Sequence, residues 1–177
     1  WFPTLEKLAL EHDWRLVPMT KSACASVDMP IWSQLFNREY TECTAWREAA
    51  FERIAEEQPD LVVVSNAYRY TIALDGAMAW STDHRDLWSA ALERTIGRLE
   101  QSGGRVLLIG DTPRMPEDPP QCLSANLEDL TACGSPFRTA VVPAWQAADA
   151  EVAAATGATF VDPTAWICFT DPCTPVN

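Results

Sequence analysis

The chain has 177 residues, 47% of them hydrophobic, and a formal net charge of −12. The length and apolar content suit one globular domain with a real core. The acidic balance excludes the clustered Lys and Arg that nucleic acid or an anionic lipid surface requires, and no apolar stretch approaches the ~18 residues of a membrane span.

The chain opens at Trp1 rather than Met, which reads as a processed or excised piece with any targeting signal outside it. From Trp1 to His12 the apolar positions recur with helical spacing, and Pro3 is tolerated in the first turn. Residues 14–19 read as a strand that enters a polar, cysteine-bearing loop over 20–30. A second helix is predicted over 44–57, with Ala45, Trp46, Ala49, Ala50 and Ile54 on its inner stripe. Leu61-Val-Val-Val64 is an unbroken, β-branched run, as expected of a strand covered on both faces.

A loop containing Gly76 leads to a long helix, for which Ser81 or Thr82 is the expected N-cap. Leu87, Trp88, Ala91, Leu92, Ile96 and Leu99 form its stripe, and Gly103-Gly104 ends it. The next buried strand, 106–109, is stopped by "GDTPRMPEDPPQC". A helix lies within 139–156, Gly157 terminates it, and 159–161 is the last strand. Helices and strands alternate throughout, the pattern of a doubly wound α/β domain with a mostly parallel sheet. Such a fold begins with a strand, whereas this chain begins with a helix, so a first strand is expected to be missing.

The six cysteines, Cys24, Cys43, Cys122, Cys133, Cys168 and Cys173, read as lying in loop regions. Zinc would want close Cys pairs with histidines nearby, and His12 and His84 have no such spacing. Disulfides are the favoured reading and imply an oxidising compartment. Six cysteines allow fifteen connectivities; sequential pairing would close three local loops.

Asn66 follows the Leu61–Val64 strand, where a small polar residue either opens a turn or is aimed at a substrate. Tyr68, Arg69 and Tyr70 come next, a mixture suited to a sugar face or to covering a loop. In "STDHRD", His84 tempts a triad with Asp83 and Asp86, but neighbours along a helix do not face one another. His12 sits favourably near a helix C-terminus. Trp46 and Trp88 read as core, Trp80 and Trp166 as exposed stacking surfaces.

Taken together, "WFPTLEKLA", "KSAC" with "CTAW", "DLVVVSNAYRY", "GDTPRMPEDPPQCL" and "VDPTAWICFTDPC" resemble the SGNH-like domain fused to acyltransferase-3 membrane proteins. The resemblance covers nearly the whole chain. It implies a three-layer, flavodoxin-like SGNH hydrolase fold and an extracytoplasmic location, tethered to the cytoplasmic membrane. It also implies transfer of an acyl group, with acetyl expected, through a serine ester to a cell-envelope glycan hydroxyl. The membrane acyltransferase domain of the same polypeptide would be the acyl donor and the glycan the acceptor; no cofactor, metal or nucleic acid is expected.

In that family a Gly-Asp-Ser motif carries the nucleophile and an Asp-x-x-His element its partners. Neither occurs here, and "GDT" at 110–112 follows a later strand. Residues 1–177 are therefore expected to form a single SGNH-like domain, trimmed at both ends and inactive alone. The resemblance places Asn66 as an oxyanion donor through its side chain and Ser22 through its backbone N–H. Tyr68, Arg69 and Tyr70 would line an acceptor groove. The chain departs from the pattern with Val64 where Gly is usual, Ala67 where Asp often follows, and Ser22 in a Gly position. A non-catalytic glycan-binding module or a carbohydrate esterase are the alternatives.

Overall fold

The computed structural model describes residues 1–175. In chain order the elements are α1 (Phe2–Glu11), β1 (Trp32–Ser33), β2 (Arg38–Glu39), α2 (Thr41–Glu57), β3 (Leu61–Ser65), β4 (Thr71–Leu74) and β5 (Ala77–Trp80). There follow α3 (Arg85–Glu100), β6 (Arg105–Ile109), α4 (Pro119–Ala125), α5 (Phe137–Ala140), α6 (Pro143–Thr156), β7 (Thr159–Val161) and α7 (Thr164–Ile167). Short 3-10 turns occupy Ser81–Asp83 and Leu130–Cys133.

The three β-branched or aliphatic runs predicted from sequence form one parallel sheet, in the order β3-β6-β7. Leu61 to Ser65 pair with Arg105 to Ile109, and Leu107 to Ile109 pair with Thr159 to Val161. The ends of β3, β6 and β7 therefore lie side by side, the place where ligands meet an open α/β sheet. The edge of β3 away from β6 pairs with no strand among the described residues.

Helix α3 supplies the largest share of the core. Trp88, Ala91, Leu92, Ile96 and Leu99 are buried at helical spacing, as the stripe predicted; Thr95 is buried with them and Leu87 turns outward. They pack with Val64, Val106 and Leu108 of the sheet, Trp145, Val152 and Ala153 of α6, and Val27 and Ile31 of the segment between α1 and β1. Fully burying each large apolar side chain contributes about 1.5–3 kcal/mol. Ala140, Val141, Cys168 and Cys173 form a smaller cluster with Met115.

Several expectations are corrected. Residues 14–19 form no strand; Trp14, Leu16 and Val17 are exposed. A strand needs a neighbour to take its N–H and C=O groups, and none lies beside this segment among the described residues. Helix α2 starts at Thr41, three residues early, and its buried positions are Cys43 and Arg47, with Trp46, Phe51 and Ile54 partly buried against the core. Ala45 and Ala49 face outward. Neither Ser81 nor Thr82 caps α3; its N-cap is His84, without a side-chain bond.

The loop expected around Gly76 is the turn of a tight hairpin between β4 and β5. Asp75 and Gly76 have φ of 51° and 78°, the paired positive angles of a type I′ turn that an Asp-Gly dipeptide favours. All six cysteines pair sequentially, Cys24–Cys43, Cys122–Cys133 and Cys168–Cys173, although Cys43 and Cys122 sit in the first turns of α2 and α4 rather than in loops. No described helix is long and apolar enough to cross a membrane.

Candidate active site

Asn66 immediately follows β3, so the parallel register carries its side chain to the carboxyl end of the sheet. Its Oδ1 accepts hydrogen bonds from the Ser26 backbone N–H at 2.9 Å and the Ser26 hydroxyl at 3.0 Å. Its Nδ2 donates to Ser26 Oγ at 2.8 Å. The residue before it, Ser65, accepts a hydrogen bond from Trp1 Nε1 at 3.1 Å, which brings the start of α1 to the same end of β3.

Ser22 lies in an exposed turn closed by the Cys24 N–H donating to the Lys21 carbonyl at 3.3 Å. Ala23 holds a left-handed φ of 53° to make that turn. No bond joins Ser22 to Asn66; the link between them runs through the chain to Ser26, four residues on.

The loop after Asn66 is anchored to β6. Asp111, next but one after β6, accepts the Tyr68 backbone N–H at 3.0 Å through Oδ2 and the Thr112 N–H at 2.8 Å through Oδ1. Burial raises the Asp111 pKa, opposed by those two N–H bonds and by Arg114. Its carbonyl accepts a bond from Gln146 Nε2 at 3.2 Å. Gly110 permits this approach, because a Cβ there would stand 2.2 Å from Gln146 Oε1.

Tyr68 is 6% exposed, with its ring stacked on Trp145 at 5.4 Å between centroids. Its hydroxyl has no hydrogen-bond partner among the described residues. Burial, then the charges of Asp149, Asp111 and Asp162, pushes the phenol pKa far up. Tyr70 stacks on Trp88 at 5.8 Å and is likewise raised, by burial and then Asp111. Ser81 is fully buried between them: its Oγ donates to the Tyr68 carbonyl at 2.6 Å and accepts the Tyr70 N–H at 3.0 Å.

Arg69 alone of this trio is exposed, with its guanidinium 4.3 Å from the Trp80 ring centroid. That pair presents a flat cationic and aromatic surface. Trp80 is half-buried beneath it, whereas Trp166 is exposed, as read from sequence.

Asp149 of α6 sits 7% exposed behind this loop, its carboxyl pushed up to about 7 by burial and then by the charge of Asp111. A neutral carboxyl can remain in such a site where a carboxylate would be strongly penalised. His12 stacks on Trp14 at 4.8 Å, at the end of α1, and His84 caps α3. Among the described residues, no group of three or more His, Cys, Asp or Glu side chains could hold a metal ion.

Chemically, the site offers an oriented carboxamide at the end of β3. It also has a solvent-facing Arg–Trp surface on the following loop, and a buried acidic layer of Asp111 and Asp149 beneath. The sequence reading missed Ser26, Ser81, Asp111 and Asp149. Only Asp149 carried a signal, since it places a charge on the buried stripe of an otherwise alanine-rich helix, beside Trp145, Ala148, Val152 and Ala153.

A family model described as "SGNH domain (fused to AT3 domains)" matches residues 1–177. Among solved structures, the chain is similar to the periplasmic domain of the lipopolysaccharide acetyltransferase of Salmonella ser. Paratyphi A, with a TM-score of 0.70 at 14% identity. The superposition covers 98% of this chain and 65% of that one, so the chain spans about two thirds of the solved domain. At that identity the likeness concerns the fold, which is the mixed α/β fold of that acetyltransferase domain. No curated protein sequence matches.

Proposed function

The chain belongs to the family of SGNH domains fused to AT3 domains, and from that premise we propose that it is the extracytoplasmic acyl-transfer domain of a membrane O-acyltransferase. The acyl group, acetyl being the expected one, passes through a serine ester to a glycan hydroxyl. The AT3 domain of the same polypeptide acts as the donor side. Three disulfides favour an oxidising compartment.

The observation that carries this reading is the oriented Asn66 amide beside a sheet edge with no partner strand among the described residues. A strand paired parallel with β3 would deliver a residue at its carboxyl end next to Asn66. We place the nucleophilic serine there, on a segment outside residues 1–177, because no Gly-Asp-Ser occurs in the sequence. The serine Oγ attacks the acyl carbonyl and passes its proton to a base, and the carbonyl oxygen becomes an oxyanion. Asn66 Nδ2 and the Ser22 backbone N–H donate to that oxygen, stabilising charge that exists only around the transition state. Collapse expels the donor, which takes the proton from the base, and leaves acyl-serine. The glycan hydroxyl then attacks, its proton passing through the base to the serine Oγ as the ester forms and the serine is regenerated.

Arg69, stacked on Trp80, is the acceptor-facing group in this reading. Tyr68 and Tyr70 serve it from below by holding the loop in place. Incubation of the intact protein with an activated acetyl ester, followed by intact-mass and peptide mapping, tests the covalent step. A single acylated serine, discharged on adding acceptor glycan, is the expected result. Glycan binding without any acyl adduct would move the domain to the non-catalytic class, and discharge to water alone would make it an esterase.

A further inference from the structure

Asn66 is aimed by a residue forty positions away. A backbone N–H can only donate, so the 2.9 Å contact with Ser26 N–H identifies the facing amide atom as Oδ1. The Ser26 hydroxyl then closes a reciprocal pair, donating to Oδ1 and accepting one Nδ2 proton. The second Nδ2 proton has no partner among the described residues.

Ser26 is itself fixed on both sides. The Cys24–Cys43 disulfide ties the chain two residues before it to α2. Arg47, 3% exposed, donates to the carbonyls of Ala25 at 3.4 Å and Met29 at 3.1 Å. Thr95 Oγ1 accepts the Asp28 N–H at 2.8 Å and lies 3.3 Å from the Ser26 carbonyl. Ala25 and Val27 are completely buried, pegging the segment into the core on either side of Ser26. A guanidinium spent on backbone carbonyls inside a core is costly, and here it clamps the arch that presents Ser26.

We propose that Ser26 is the positioning residue for Asn66, locking the amide so that its unpaired Nδ2 proton is reserved for the oxyanion. The inference rests on the acyl-transfer reading of Asn66. It assigns Ser26 no contact with substrate, so its effect passes wholly through Asn66.

The test is a double-mutant cycle in the intact protein, measuring kcat and KM for acyl-ester turnover with Ser26→Ala, Asn66→Ala and the double variant, and thermal midpoints alongside. Ser26→Ala is expected to lower kcat about tenfold with KM unchanged, and to add nothing once Asn66 is Ala. Ser26→Thr, which keeps both donors, is expected to retain wild-type kcat. Additive losses, a Thr variant as slow as Ala, or an unaffected Ser26→Ala beside a damaged Asn66→Ala would each overturn the positioning role. An unaffected Asn66→Ala would instead overturn the oxyanion reading itself, and the inference with it.

Discussion

Asp111 accepts the backbone N–H of Tyr68 at 3.0 Å and so ties the loop that follows one parallel strand to the end of the next. The bond joins residues 43 apart in sequence and lies two residues beyond Asn66. It makes the geometry of the candidate site depend on sheet register: a slip between β3 and β6 would separate the pair.

Removing that acceptor leaves a half-buried N–H unpaired. Asp111→Ala is expected to destabilise the domain by about 1–3 kcal/mol, read from the urea midpoint at constant m-value. Asp111→Asn, which keeps a carbonyl oxygen, is expected to cost less. Equal losses for the two variants would show that the Tyr68 bond is not what Asp111 supplies.

Asp149 sets a pH dependence with a definite sign. Its folded pKa of about 7 lies above the ordinary value of 3.8, because burial and then Asp111 disfavour the charge. Between those values the folded protein holds a proton that the unfolded chain has lost. Stability is therefore full below the unfolded value and declines as pH rises toward 7, by up to ~4 kcal/mol. Asp111 shifts in the same direction. Asp149→Asn is expected to flatten the denaturation midpoint between pH 5 and pH 8 and to raise it at pH 8. An unchanged slope would locate the dependence elsewhere.

Gly110 tests the packing of the same layer. An alanine there would put its Cβ 2.2 Å from Gln146 Oε1, and overpacking of this kind costs typically about 1–3 kcal/mol. Gln146→Ala should relieve it, so the double variant is expected to be more stable than the sum of the single changes allows. Strict additivity in thermal denaturation would contradict the contact.

The Cys24–Cys43 disulfide closes a loop of sequence separation 19, for which chain entropy gives about 3 kcal/mol. Replacing both cysteines by Ser is expected to lower stability by that order and to slow acyl-ester turnover in the intact protein, since the arch carrying Ser26 is released. A loss of stability with turnover unchanged at a temperature where the variant stays folded would separate the arch from Asn66.

How much of this was legible in the sequence follows from how local each signal is. The three parallel strands were readable as short, mostly apolar runs, although only β6 is largely buried and Leu61 of β3 is exposed. The α3 stripe was readable because burial of one face writes a period of 3.6. Residues 14–19 have strand-like composition, yet a strand is defined by its neighbour. The β1–β2 hairpin, two residues per strand, is too short to show a period. In α2 Trp46 and Ile54 of the expected stripe do meet the core, but the disulfide at Cys43 and the buried Arg47 shift the inward face so that Ala45 and Ala49 are left outside.

The site divides in the same way. Asn66 was visible as a polar residue at a strand end, and the resemblance gave it a role. Ser26 bonds a side-chain amide 40 residues away, and Ser81 and Asp111 bond backbone groups 11 to 13 and 43 residues away; no local pattern announces such partners. Tyr68 looked like a surface aromatic beside Arg69, but stacking on Trp145 draws it into the core.

The central claim is that Asn66 stabilises an oxyanion during acyl transfer, and kcat of the intact protein with an aryl acetate tests it most directly. Asn66→Ala is predicted to lower kcat on the order of a hundredfold, with little change in KM and the thermal midpoint retained. A folded Asn66→Ala variant that turns over at the wild-type rate would contradict it.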